Sequence, residues 1–330
     1  MKYDFVAFGD IVIDAFIRLK DAHVTCKINN TDCELCVKFG QKIPFESVEE
    51  VFAVGNGPNA ATAAARLGLQ STVVCNVGDD RNGADCVKQM ESEGMKTEYI
   101  LSHPGIKTNY HYVLMYGPER TILVKHEKFP YKLPAFAEPP QWFYLTSLPE
   151  HTVDYQIEIA KYAKANGTKL AFQPGTFQIK LGKEKLKELY EASDIFFCNK
   201  EESQQILGTP DEQDIKKLLA DVKALGPKLP VITDGPKGSY VMEVDGSVYH
   251  VPMYPDPAPP QNRTGAGDAT ASTTVSFIIK GMTPREALMR GTINAASVVQ
   301  HIGAQKGLLH EDELQAWYDK RPADFVATKI

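Results

Sequence analysis

Between Asn262 and Thr270 the chain reads Asn-Arg-Thr-Gly-Ala-Gly-Asp-Ala-Thr, and an apolar, small-residue run from Ala271 to Ile279 follows, closed by Gly281. Two glycines ahead of a helix let the backbone turn tightly, so that N–H groups converge on one point. Such a point carries positive partial charge and holds an anion, most often a phosphate. Asp268 at the helix start has two uses. It can cap the helix, or it can stand beside an anion hole and take a proton from a hydroxyl that attacks a phosphoryl group.

Other chemically suggestive residues are spread along the chain. Asp10 and Asp14 follow a short apolar run ending at Phe8, where a doubly wound sheet presents its ligands; Asp14 is favoured as functional on that rule. Gly55-Asn56-Gly57-Pro58-Asn59-Ala60 opens an Ala-rich helix that ends at Leu67-Gly68. It is formally G-x-G-x-x-A, with an acid about twenty positions on at Asp79 or Asp80, as in a dinucleotide fingerprint. Against that reading, it follows the second apolar strand segment and a long excursion, and its Pro58-Asn59 offers a polar side chain to a ligand. Asn199 and Glu202, three apart after a strand, can share a helix face and orient a metal-bound water. An Asn cap with an acidic first turn accounts for the same pair. Cys26, Cys33 and Cys36 end in a C-x-x-C pair, but a second pair is missing and His23 and Cys75 are loose fourth candidates for zinc. Reduced thiols are the expectation.

These residues need a frame. Strands are expected at Tyr3–Phe8, Ser71–Val77, Trp142–Leu145, Lys169–Phe172, Ile195–Phe197 and Val231–Thr233. Helices are expected from Gly55, at Asn82–Glu93, His151–Asn166 and Lys183–Ala192, and two more, Ala266–Lys280 and Pro284–His301, finish the chain. This alternation implies an α/β fold with a doubly wound, mostly parallel sheet. Residues 20–53, with strand-like pieces at Leu35–Phe39 and Val48–Val54, read as an excursion. Thr108–Tyr116 and Arg120–Lys125 read as a hairpin around Gly117-Pro118-Glu119. Together they would form a small β-sheet over a site. Asp234 to Gly238 is a further glycine turn at the same sheet edge.

The chain has 330 residues, 43% hydrophobic and 24% charged, which suits a globular protein with a sizeable core. A formal net charge of −6 argues against nucleic acid or membrane as the main partner. The start, Met1-Lys2-Tyr3-Asp4, lacks a signal-peptide pattern and no run reaches membrane-spanning length, so a cytoplasmic protein is expected. A Walker A motif is absent from the sequence.

In order and spacing these motifs resemble the ribokinase-like (PfkB) carbohydrate kinases, over almost the whole chain. Asn262 to Asp268 is similar to that family's D-T-x-G-A-G-D, Gly55 to Asn59 to its G-G-x-x-x-N, Asn199 and Glu202 to its N-x-x-E, and Thr233, Gly235 and Gly238 to its T-x-G-x-x-G. The resemblance implies one domain over residues 1–330, with a lid from about 15–53 and 106–125 through which a homodimer would form. It implies an ATP-dependent kinase of a sugar, ribose-, fructose- or ketodeoxy-sugar-like, with Asp268 as base and Gly265, Ala266 and Gly267 as anion hole. Asp14, Gly55 and Asn59 would hold the acceptor. Asn199 and Glu202 would position Mg²⁺ through water. Thr233, Gly235 and Gly238 would line the nucleotide, with Asn294 near the base.

Three departures stand out. Val54 replaces the first glycine of the Gly-Gly pair, Asn262-Arg263 replaces Asp-Thr, and the excursion after Asp10 is long. Relatives use a carboxylate at the position of Asn262 to bind K⁺, so weak dependence on a monovalent cation is expected. Alternatives are a nucleoside kinase of the same fold, an NAD-dependent dehydrogenase built on Gly55–Ala60, and a non-catalytic sugar or nucleotide sensor. The retained Asp268 and its intact turn argue against the sensor.

Overall fold

The computed structural model describes residues 2–26, 33–117, 119–261 and 263–330. The chain begins with β1 (Phe5–Phe8), four apolar residues buried throughout. Past Gly9-Asp10 it enters β2 (Val12–Leu19). A short hairpin, β3 (His23–Thr25) with β4 (Glu34–Cys36), precedes β5 (Phe45–Val54). Then come α1 (Asn56–Arg66), β6 (Ser71–Gly78), α2 (Arg81–Ser92), β7 (Ile100–His103), and the hairpin β8 (Asn109–Tyr116) with β9 (Glu119–Leu123).

From β10 (Trp142–Leu145) the alternation is regular: α3 (Val153–Asn166), β11 (Lys169–Phe172), α4 (Thr176–Leu181), α5 (Lys187–Ala192), β12 (Ile195–Asn199), α6 (Lys200–Leu207), α7 (Ile215–Ala224) and β13 (Leu229–Thr233). After β14 (Ser239–Met242) and β15 (Val248–Val251) come α8 (Ala266–Ile279), α9 (Pro284–Val298), α10 (Glu311–Asp319) and β16 (Thr328–Lys329).

The main sheet has ten strands in the order β16-β15-β14-β13-β12-β11-β10-β1-β6-β7. Pairing is parallel from β7 to β13 and antiparallel from β13 to β16. Residues alternate across it, which is why β1 is apolar at every position: Phe5 and Ala7 enter one core with α8 and α9, Val6 and Phe8 the other with α3 and α7. Strand carboxyl ends therefore share one edge, and Asp10, Gln173, Asn199 and Thr233 all fall there.

A separate sheet, β5-β2-β8-β9, branches from that edge. Strand β2 pairs antiparallel with β5 and parallel with β8, and β8 with β9 closes the expected hairpin. Phe16, Val113 and Met115 anchor it against Val51 and Ile302, the latter beyond α9.

The structure corrects several expectations. Residues 20–53 yield β4 at Glu34–Cys36 and β5 from Phe45, and β7, α4, α7, β14 and β15 are additional. The chain does not finish with two helices: α10 and β16 follow, and β16 pairs with β15. Cys26 is disulfide-bonded to Cys33 rather than reduced, because β3 and β4 pair antiparallel and bring those two residues together. Cys36, Cys75, Cys86 and Cys198 remain thiols. Among the described residues no helix is long and apolar enough to cross a membrane.

Candidate active site

Asp268 lies in the first turn of α8 and is 6% exposed. Its two carboxylate oxygens accept from three amides. Asn56 Nδ2 donates to Oδ1 at 2.8 Å, Asn59 Nδ2 to Oδ2 at 2.9 Å, and Gln173 Nε2 to Oδ1 at 3.4 Å. Burial pushes the Asp268 carboxyl above the usual carboxylate value, and the amides of Asn59, Asn56 and Gln173 pull it partly back. Asp268 makes no side-chain cap to α8; its carboxylate is turned to other elements. The capping reading of the sequence gives way to one in which the carboxylate faces a cavity.

Gly265 precedes α8 with φ +84°, and a Cβ there would lie 2.4 Å from Ala304 Cβ. Only glycine fits a left-handed residue pressed against a neighbour in this way. Ala266 and Gly267 begin the helix, whose first turn directs unpaired N–H groups outward. The approach of α1 is similarly tight. A Cβ on Gly57 would lie 2.9 Å from Gly9 Cα, and one on Gly55, φ +117°, would lie 2.3 Å from the Asp10 carbonyl oxygen. These contacts bring Asn56 and Asn59 to Asp268.

A large cavity opens in front of Asp268, lined by Asp10, Asp14, Asn59, Gln173 and Glu202, and by Arg120 and Lys180. A second cavity lies on the other side of the α8 start and is lined by Thr233, Gly235, Gly238, Ala266, Ala295 and Val299. Both are lined by Arg263 and Gly267, so the glycine turn is their common wall. Arg263 is exposed; Asn262, whose replacement of a carboxylate motivated the cation expectation, lies outside the described residues.

Asp14 and Asp10 both reach the first cavity, each beside a histidine. His111 Nδ1 is 3.2 Å from Asp14 Oδ1, and His126 Nδ1 is 3.0 Å from Asp10 Oδ2. Tyr131 donates its hydroxyl to Asp10 Oδ1 at 2.6 Å, and the two imidazoles lie 5.1 Å apart. Sequence reasoning singled out Asp14 but missed His111, His126, Arg120 and Gln173. A histidine in a hairpin carries no local signal; only the pairing of β8 with β2 sets His111 opposite Asp14.

Asn199 and Glu202 form a reciprocal cap on α6. Asn199 Oδ1 accepts from Glu202 N at 2.7 Å, and Glu202 Oε2 accepts from Asn199 N at 2.9 Å. The helix-cap reading thus accounts for the Asn199 oxygen. Glu202 also lines the first cavity. Burial raises its carboxyl, the Asn199 N–H opposes that, and the charges of Glu201 and Asp268 add to it.

Asn294 does not reach the second cavity. It is fully buried, its Nδ2 donates to Thr273 Oγ1 at 2.8 Å, and its Oδ1 accepts from Leu309 N at 2.9 Å. Helical spacing turns Thr292, Ala295, Ala296 and Val299 to the cavity instead.

The dinucleotide reading fails on topology. Strand β5, which leads into Gly55–Ala60, belongs to the small sheet and is antiparallel to β2, so no βαβ unit surrounds the glycines. Asp80 is committed as well: it caps α2 through Gly83 N at 2.9 Å and holds Thr108 Oγ1 at 2.7 Å.

Residues 25–311 match the pfkB family carbohydrate kinase. The ribokinase of Bacillus subtilis (strain 168) is 27% identical, over 79% of this chain and 86% of its own length. The bifunctional ribokinase/ribose-5-phosphate isomerase A of Fructilactobacillus sanfranciscensis is 24% identical over 82% of this chain, which spans only 50% of that longer protein. Among solved structures, Arabidopsis thaliana ribokinase complexed with ribose and ATP superposes with a TM-score of 0.78 at 19% identity, covering 96% of this chain and 98% of its own.

Proposed function

The chain belongs to the pfkB family of carbohydrate kinases, and on that premise we propose that it transfers the γ-phosphoryl group of ATP to a hydroxyl of a small sugar, with Asp268 as the base. The observation that carries this reading is that Asp268 lines one cavity directly after the glycine turn that separates it from a second. The sugar occupies the side lined by Asp14, Gly55 and Asn59; the nucleotide occupies the side lined by Thr233, Gly235 and Gly238.

Asp268 takes the proton of the acceptor hydroxyl as its oxygen bonds to the γ-phosphorus, and the bond to the β–γ bridging oxygen breaks, releasing ADP. On this reading the N–H groups of Gly265, Ala266 and Gly267 stabilise the equatorial oxygens of the transferring group. Positioning and charge stabilisation supply most of such a barrier reduction, and exclusion of water supplies much of the rest. The small sheet is read as a lid over the acceptor, and the whole chain as one unit. Val48, Tyr112 and Leu123 are exposed on the lid strands, where two copies would pair. A cytoplasmic setting suits these substrates.

Magnesium fits the residues present. Glu202 lines the cavity with Oε2 held by Asn199 N, and among the described residues no hydrogen bond engages Oε1. No group of three acidic, histidine or cysteine residues among those described is placed to hold a metal directly. Glu202 would therefore hold the ion through water, with Asn199 fixing Glu202. Bound magnesium supplies charge neutralisation on the triphosphate.

The test is a screen of pentoses, hexoses, keto-sugar acids, phosphorylated sugars and nucleosides with ATP-Mg²⁺, reading ADP release. A sugar acceptor that is phosphorylated by the wild type and not by Asp268→Asn supports the reading. Turnover of nucleosides alone would move it to the nucleoside kinase. Thermal protection by NAD and not by ATP-Mg²⁺ would overturn it.

A further inference from the structure

Asn59 faces Asp268 with its NH₂ and not its oxygen, and a chain of contacts fixes that choice. Gln305 lies between two oxygens: its Nε2 is 2.7 Å from the Ala53 carbonyl and 3.1 Å from Asn59 Oδ1. A backbone carbonyl can only accept, so Gln305 must turn its NH₂ toward Ala53. The same NH₂ then requires the oxygen of Asn59, which leaves Asn59 Nδ2 for Asp268. All the side chains in this chain are buried: Gln305 4%, Asn59 5% and Asp268 6% exposed. Ala53 has φ +56°, a left-handed conformation that a non-glycine residue holds only against strain.

On the reading of Asp268 as base, we propose that Gln305 is a positioning residue: acting through Asn59, it completes a cradle of three NH₂ donors that keeps Asp268 in its proton-accepting form. A protonated Asp268 needs an acceptor for its O–H; Asn59 and Gln173, each held by its other contact, offer it only donors, and Asn56 also faces it with its NH₂. Tyr144 donates its hydroxyl to Gln173 Oε1, which turns the Gln173 NH₂ the same way. Without Gln305 the Asn59 amide is free to turn over, and its oxygen then stabilises the neutral acid.

Several charged groups also act on Asp268. Glu202 faces it from α6, and burial together with the Asp268 charge keeps the Tyr144 hydroxyl of β10 protonated. Across the cavity stand the Asp10–His126 and Asp14–His111 pairs. Arg263, Arg120 and Lys180 line its walls. A substitution at Gln305 leaves these groups in place, so a change in the Asp268 titration reports the relay.

Infrared difference spectra of the full-length protein without ligands, each variant against its own Asp268→Asn counterpart, follow the carboxyl-to-carboxylate conversion of Asp268 with pH. Gln305→Leu should move the midpoint up by about one unit, a tenfold change in the proton equilibrium. Gln305→Met, of similar length and volume, gives the same readout should the leucine variant not fold. Coincident midpoints in wild type and a folded variant would overturn the relay. Should Asp268→Asn keep a near-normal kcat with an acceptor found in the screen, it is the base assignment that fails; coincident midpoints with an inactive Asp268→Asn discard the relay alone.

Discussion

Asn59 and Asp268 stand 209 positions apart in the chain and 2.9 Å apart in the fold, amide nitrogen to carboxylate oxygen. The first prediction concerns this pair. Asp268→Asn keeps the shape of the side chain and removes proton acceptance, so kcat should fall roughly 10²–10⁴-fold. ATP binding, measured by calorimetry, should be retained. A kcat near that of the wild type would show that the base lies elsewhere.

The acidic side of the pH profile follows from the direction of the Asp268 shift. Burial raises this carboxyl above 3.8, so in the folded protein it takes up a proton at a pH where the unfolded chain is still ionised. Between 3.8 and the raised value, acidification therefore adds to the stability contributed by this group while it neutralises the proposed base. The acid limb of kcat should lie above the ordinary aspartate range. Over the same interval the Tm difference between wild type and Asp268→Asn should shift in favour of the wild type as pH falls. A shift in the opposite direction would mean that the amides outweigh burial.

Gly57→Ala tests how tightly α1 must approach β1. Its Cβ would meet Gly9 Cα at 2.9 Å, and the Gly9 atoms around it are all backbone, which cannot step aside. Overpacking of this kind costs about 1–3 kcal/mol, readable as a lower denaturation midpoint. The displaced α1 would also carry Asn56 and Asn59 away from Asp268, so kcat should drop with it. Wild-type stability in this variant would show that the two glycines have room to part.

Asp14→Ala should weaken the sugar and not ATP. Loss of one buried hydrogen bond to a hydroxyl costs about 1–3 kcal/mol, roughly 5- to 150-fold in acceptor KM. His111, now lacking its partner at 3.2 Å, should not rescue binding. An increase confined to the KM for ATP would place Asp14 on the wrong side of the glycine turn.

Asn262 stands where the resemblance to the family implies a carboxylate ligand for K⁺, and an amide is neutral. Initial rates at saturating ATP-Mg²⁺ should differ by less than about threefold among Na⁺, K⁺ and a bulky organic cation at equal ionic strength, about 0.65 kcal/mol at most. A tenfold activation specific to K⁺ would show that carbonyl oxygens alone can build a cation site here.

Local signals carried much of the fold. Apolar runs such as Phe5–Phe8 and Trp142–Leu145 are legible because both faces of a parallel strand are buried, and Gly265 to Asp268 because a turn before a helix needs those residues. What stayed hidden is pairwise. Gln305 looks like any loop residue until Ala53 and Asn59 are found beside it. Asn294 was carried over from a resemblance, yet the register of α9 turns it into the core and leaves Ala295 and Ala296 at the cavity. The Cys26–Cys33 bond depends on the β3–β4 register, which spacing alone does not set.

The relay from Ala53 through Gln305 and Asn59 to Asp268 also sets a timetable for synthesis. A ribosome adds about 5–20 residues each second, so Asn59 waits roughly 10–40 s for Asp268 to emerge. During that time the small sheet and the first parallel strands can assemble, but neither Asp268, the proposed base, nor the glycine turn exists. Gln305 arrives later still. A nascent chain can thus begin to shape an acceptor pocket while remaining unable to spend ATP, and phosphoryl transfer begins only when the last-made part of the site closes on the first.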